Sequence, residues 1–155
     1  MSIEIRKALK KDTKALRELA RASKQHWGYS NEYMRIWNTD KTITPNFVEK
    51  APVCCAVSDG EIVAFYAFAV EGDPRELKHF WVSPAYINKG IGRRLFTHAT
   101  EYLQSQRVKA LLVSAEPHAE GFYLRMGGER VGTKSNTKLN QKFPVVRFEL
   151  ELATG

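Results

Sequence analysis

The sequence predicts an α/β domain built on one mixed sheet (α+β), with helices on both sheet faces, and three features carry that expectation. A β-type run on either side of Asp59-Gly60 reads as a hairpin. Its second half, "EIVAFYAFAVE", is apolar on both faces, as a central strand must be. After residue 75 strands alternate with helical patterns, the order that puts helices against a sheet.

Element by element, "IEIRKAL" (3–9) reads as a first strand, followed by Asp12 as an N-cap and by Ala15, Leu16, Leu19, Ala20 and Ala22 at helical spacing. Gly28 stops that helix. Ser30 caps a second helix carrying Tyr33, Met34 and Trp37, and Thr44-Pro45 has the cap-then-proline order of a third. "ELKHFWVS" (76–83) is the strand after the hairpin, and a glycine loop leads from it into a helix whose inner stripe is Ile91, Leu95, Ala99 and Leu103. "ALLVSAE" (110–116) is a buried strand, "AEGFYLRMG" (119–127) a short helix, and "ERVGT" and "PVVRFELEL" close the chain as strands.

No repeat or linker interrupts this order, so the 155 residues are expected to form a single domain, 1–155. Hydrophobic residues at 43% and charged residues at 26% fit a folded soluble chain. No apolar run reaches the ~20 residues of a membrane span and the N-terminus has no signal-peptide core, so the expected location is cytoplasmic, with no membrane partner. The neighbouring Cys54 and Cys55 would point to opposite faces of a strand, which argues against an intrachain disulfide or a metal site. The net charge of +7 favours an anionic partner. Lys7, Lys10, Lys11, Lys14 and Arg17 read as a solvated face and no dense basic tract supports nucleic acid.

The loop "SPAYINKGIGRRLF" (83–96) gives the charge a use. Gly90 and Gly92 allow a backbone that gathers N–H groups at a helix N-terminus, a concavity suited to phosphate. Lys89, Arg93 and Arg94 add full charges, so a diphosphate fits. A Walker loop is absent, and a dinucleotide loop would need a small residue where Leu95 stands.

"VSPAYINKGIGRRLF" resembles the acetyl-coenzyme A loop of the GNAT N-acetyltransferase superfamily, whose pattern is Arg/Gln-x-x-Gly-x-Gly/Ala after a strand ending in Val. "AEGFYLRMGGERVG" resembles that family's second motif through Ala119, Phe122, Tyr123, Arg125 and Gly127. Order and separation of the two motifs match as well, and the resemblance covers the whole chain. Departures are Ile87, where the family prefers Arg or Gln, and Gly128, where it usually has Phe.

The resemblance implies the GNAT acyl-CoA N-acyltransferase fold, acetyl-coenzyme A as co-substrate with no metal, and acetyl transfer to a small-molecule or peptide amine. It implies a cofactor site made of strand amides at Phe80, Trp81 and Val82, and the loop Ile87, Asn88, Lys89, Gly90, Ile91 and Gly92 with Arg93 and Arg94. Ala119, Phe122 and Arg125 complete it. The strands at 76–82 and 110–116 should splay so that the pantetheine arm pairs along the edge. The Phe80 N–H is then the donor to the developing oxyanion, and Tyr123, a phenol, the proton donor to the leaving thiolate. An alkylammonium has a pKa of about 10, so a base must take its proton. Glu76 is the leading candidate and His79 the rival, on opposite faces if the strand alternates.

Trp27, Tyr29 and Tyr33 are the expected acceptor wall, with Trp37 read as core and Glu32, Glu71 and Asp73 as solvated charges. A homodimer is among the expected assemblies. A non-catalytic coenzyme A sensor or a nucleic-acid-linked regulator on the same fold is the alternative function.

Overall fold

A computed structural model describes residues 2–37 and 39–151. Leu152, the end of the last predicted strand run, lies outside the described residues. Seven strands form one sheet: β1 (Glu4–Lys7), β2 (Val53–Ser58), β3 (Glu61–Phe68), β4 (Arg75–Val82), β5 (Ala110–Ser114), β6 (Glu129–Asn136) and β7 (Gln141–Glu149). The helices are α1 (Thr13–His26), α2 (Asn31–Ile36), α3 (Thr39–Thr42), α4 (Pro45–Lys50), α5 (Ile91–Ser105) and α6 (Glu120–Arg125).

The sheet order is β1-β2-β3-β4-β5-β7-β6. The first four strands are antiparallel, β4 and β5 are parallel, and β7 enters between β5 and β6. Asp59 (φ 50°) and Gly60 (φ 79°) both take the left-handed conformation that a two-residue hairpin requires. β3 is an interior strand, paired on both edges by β2 and β4, and Val63 through Phe68 are shut off from solvent on both faces.

Helices cover both sheet faces. α5 lays the predicted stripe of Ile91, Leu95, Ala99 and Leu103 against Ala64, Tyr66, Phe68 and Leu111. On the other face α1 packs Leu16, Leu19 and Ala20 on Phe65, Ala67 and Trp81. Each leucine buried in this way contributes roughly 1.5–3 kcal/mol of apolar transfer. Gly128 is also explained by packing: a Cβ there would stand 2.4 Å from Val146 Cγ1 and 2.7 Å from Phe148 Cζ. A phenylalanine at this position has no room.

The Ser30 and Thr44 caps form as predicted, with Tyr33 N–H donating to Ser30 Oγ and Phe47 N–H to Thr44 Oγ1, each at 3.1 Å. Asp12 behaves otherwise. It stands before α1 but makes no cap bond to it, because its carboxylate accepts from Arg6 Nη1 at 2.9 Å and from Leu9 N–H at 2.8 Å. Two of the basic residues read as a solvated face hold loops instead. Lys7 Nζ donates to the Val48 and Ala51 carbonyls at the end of α4, and Arg17 Nε donates to the Ile43 carbonyl. Asp73 likewise accepts from the Lys109 and Ala110 N–H groups and so anchors the start of β5. Among the described residues no helix is long and apolar enough to cross a membrane.

Candidate functional site

The site begins with a failure of strand pairing. β4 and β5 pair only through Arg75, Glu76 and Leu77, after which β5 continues beside β7 and the edge of β4 from Lys78 to Val82 stands open. Ser83 N–H donates to the Val63 carbonyl on the β3 side. Alternation from that bond turns the N–H groups of Val82 and Phe80 toward the gap. A β-bulge at Lys78 marks the closed end, since Phe68 pairs with Leu77 and Ala67 with His79.

The bulge changes a sequence expectation. Leu77 joins the α5-side cluster and Trp81 the α1-side cluster, although simple alternation would give them one face. Lys78 and His79, neighbours in sequence, both line the same cleft. Alternation therefore does not separate Glu76 from His79 as the sequence suggested.

At the other end of β4, a 3-10 turn (Pro84–Tyr86) leads into the glycine loop. Asn88 (φ 64°) and Gly90 (φ 80°) are left-handed, and Gly90 is the N-cap of α5. The first bond of α5 runs from Arg94 N–H to the Gly90 carbonyl, so the N–H groups of Ile91, Gly92 and Arg93 have no intrahelical acceptor. Lys89, Arg93 and Arg94 are exposed around them. Arg94 differs from the other two in that its Nη2 donates to the Ile3 carbonyl at 3.2 Å.

An aromatic cluster joins the loop to α6. A Cβ at Gly92 would come into van der Waals contact with the Phe122 ring at 3.6 Å and Val82 Cγ2 at 3.9 Å. Phe80, Phe96, Phe122 and Tyr123 pack mutually, and the Phe80 and Tyr123 centroids are 6.2 Å apart. Burial, and behind it the charge of Glu116, pushes the Tyr123 phenol well above its ordinary range, so it is protonated at neutral pH. Ala119 precedes α6 and packs on the same core, whereas Arg125 is exposed.

Beside the open edge lies a cleft of about 580 Å³ whose walls include Lys24, Trp37, Lys78, His79, Trp81, Glu116, Lys134 and Phe143. Lys24 is only 2% exposed, and its Nζ donates to Glu116 Oε1 at 2.8 Å. The Tyr29 hydroxyl donates to Glu116 Oε2 at 2.5 Å. Tyr29, Tyr33, Trp37, Trp81 and Phe143 surround the ammonium, with Trp37 nearest at 4.4 Å from its centroid. Desolvation lowers the Lys24 pKa and Glu116 partly restores it.

Of the aromatics expected at the acceptor wall, Tyr29 and Tyr33 stand in this cage, stacked on each other. Trp27 does not; it is 43% exposed and stacks on His118. Trp37 packs on the core as expected and also lines the cleft.

The two base candidates sit differently. His79 is buried against Phe47 and Phe65, and its Nδ1 accepts from Trp81 Nε1–H at 3.1 Å. Burial, with Lys78 and Lys24 adding to it, holds its pKa down to about 4, which leaves it a weak base. Glu76 is half exposed, with its carboxylate 3.3 Å from Lys78 Nζ. Because the folded chain keeps His79 neutral while the unfolded chain protonates it from about 6.5 downward, its contribution to stability is whole above that pH and is lost as pH falls toward about 4. His79→Gln is expected to remove about 2–3 kcal/mol of the loss in stability between pH 7 and about 4.5, read by urea unfolding at both pH values.

Lys24 and Glu116 were not singled out from sequence, although one signal was present. Leu16, Ala20, Ser23 and Lys24 recur at the spacing of the buried α1 stripe, so a lysine occupies an inward position. Glu116, 92 residues away, offers no local sign.

A family model described as the acetyltransferase (GNAT) family matches residues 13–128. A curated relative, spermidine N(1)-acetyltransferase of Thermoplasma acidophilum, is 26% identical over 121 residues, 70% of this chain and 74% of that protein. Among solved structures, PaiA N-acetyltransferase from Thermoplasma acidophilum in complex with coenzyme A superposes with a TM-score of 0.81 at 21% identity, covering 96% of this chain and 99% of that one. The ribosomal-protein-S18-alanine N-acetyltransferase of Escherichia coli gives 0.77 at 19% identity, covering 99% and 97%.

Proposed function

Because the chain belongs to the GNAT acetyltransferase family, we propose that it moves an acetyl group from acetyl-coenzyme A to a primary amine by direct attack. The observation that carries this reading is the open edge of β4, flanked at one end by the unsatisfied N–H groups that begin α5, with the Tyr123 ring 6.2 Å from that of Phe80 along it. That arrangement fits the co-substrate. Loop amides from Asn88 to Arg93, with Lys89 and Arg93, suit a diphosphate, and the strand amides of Val82 and Phe80 suit a peptide-like arm.

Acetyl-coenzyme A would supply the thioester carbonyl that the amine attacks. The Phe80 N–H, held in the sheet, donates to the carbonyl oxygen as charge gathers there, a role that rigid placement strengthens. Tyr123, kept protonated, gives its proton to the departing sulfur. Glu76, in contact with solvent at the closed end of the gap, takes up the proton that the amine loses. The spermidine of the curated relative is one amine of the proposed class.

Labelled acetyl-coenzyme A, incubated with a panel of amines with and without the protein, tests the reading. Coenzyme binding without transfer to any amine would favour a sensor. Gly90→Val tests the loop: a β-branched residue resists φ 80°, although a Cβ there would meet no atom beyond its chain neighbours within 4 Å. The variant is expected to fold and to bind coenzyme A at least about tenfold more weakly by calorimetry.

A further inference from the structure

We propose that Lys24 is a specificity lock: its ammonium fills the cage of aromatic rings and carboxylate that would otherwise receive the cationic arm of a polyamine, so that the cleft selects a monoamine whose remainder is anionic. The inference rests on the proposed acetyl transfer and names the acceptor class for the same site.

A carboxylate backed by aromatic faces is what an alkylammonium receptor consists of. Here that receptor is complete and already occupied from within, by Lys24 Nζ on Glu116 Oε1 with five rings around it. At 2% exposure the lysine is packed in place and is not free to swing into solvent. Both Glu116 oxygens are taken, one by Lys24 and one by the Tyr29 hydroxyl. Among the described residues of the lining, a second ammonium entering the cleft would therefore find no carboxylate whose charge is not already met by Lys24.

It would instead meet like charge. Among the described residues of the lining, Lys78 and Lys134 stand besides Lys24, against Glu116 as the one carboxylate. Lys78 is shared with Glu76 at 3.3 Å on the rim, which leaves Lys134 as the cation most available to a ligand. Ser135 and Asn136 line the same wall and supply polar hydrogens to an oxyanion. The Tyr33 hydroxyl, buried in the cage, has no partner among the described residues. Like-charge contact in a partly desolvated cleft discriminates strongly against the wrong partner.

The test compares amines of matched length: δ-aminovalerate (anionic remainder), pentylamine (neutral) and cadaverine (cationic). O-phosphorylethanolamine against ethanolamine repeats the contrast for a phosphate. Acetyl transfer is measured as kcat/KM, and binding is measured separately by quenching of tryptophan fluorescence, since Trp37 and Trp81 line the cleft. The expected order is δ-aminovalerate, then pentylamine, then cadaverine, with the extremes about tenfold or more apart and the gap narrowing in high salt. Lys134→Gln, an exposed substitution that should not disturb folding, is expected to shrink the gap a few-fold through the KM of the anionic amine, with its kcat unmoved. Lys24→Met is expected to reverse the binding order by freeing Glu116 for cadaverine. Cadaverine bound as tightly as δ-aminovalerate by the unaltered protein would overturn the proposal. The expected binding order without transfer to any amine would uphold the lock and overturn the acetyl-transfer reading.

Discussion

Tyr123→Phe is expected to lower kcat about a hundredfold while coenzyme A affinity barely moves. The ring of Tyr123 packs against Phe80, Phe96, Phe122 and Phe148, and phenylalanine keeps every one of those contacts. Only the hydroxyl is lost. A thiolate leaving without a proton has a conjugate acid of pKa about 8.5, so at neutral pH its expulsion is penalised. An acyl donor with a more acidic thiol leaves with less help, and with such a donor the gap between variant and parent should narrow. Calorimetry with coenzyme A and single-turnover kinetics with both donors make the check. Equal single-turnover rates for variant and parent would reduce Tyr123 to a core residue.

What could be read in the sequence was what neighbouring residues decide among themselves. The Asp59-Gly60 turn, the Ser30 and Thr44 caps and the α5 stripe each depend on residues within a few positions, and each formed. So did the loop at Gly90, because left-handed backbone and a helix start leave a compositional mark. Long-range competition was hidden. Asp12 was drawn from its capping role by Arg6, a partner supplied by the preceding strand. The Lys78 bulge inserts an extra residue that no period-two pattern announces, and with it goes the face assignment of Glu76 and His79. β7 inserts between β5 and β6, so that the last described strand pairs with one that ends at Ser114, 27 positions before its own start at Gln141, which no local pattern announces. The electrostatic centre of the cleft is the extreme case, because Lys24 shows only an inward position on the α1 stripe and Glu116 shows no local sign until the fold brings them together.

That pair sets the second large effect. Lys24→Met preserves much of the side-chain volume but leaves the Glu116 carboxylate, 17% exposed, without its cation inside a wall of aromatic rings. Removing one partner of a buried pair costs about 3–5 kcal/mol, because the remaining charge keeps its desolvation penalty and loses its attraction. Lys24→Met is accordingly expected to unfold at clearly lower temperature than the parent, by roughly 10 °C for a domain of this size. Lys24→Met combined with Glu116→Gln removes both charges and is expected to recover most of the loss, since a neutral amide can still meet the Tyr29 hydroxyl. Chemical rescue separates this account from a simple packing defect. A small alkylammonium such as butylammonium can restore charge to the cage, so it should raise the melting temperature of Lys24→Met, in proportion to the logarithm of its concentration once the site is saturated. It should do nothing for the double variant. If butylammonium stabilised both variants equally, or neither, the cage around Lys24 would be a matter of packing and not an ammonium site.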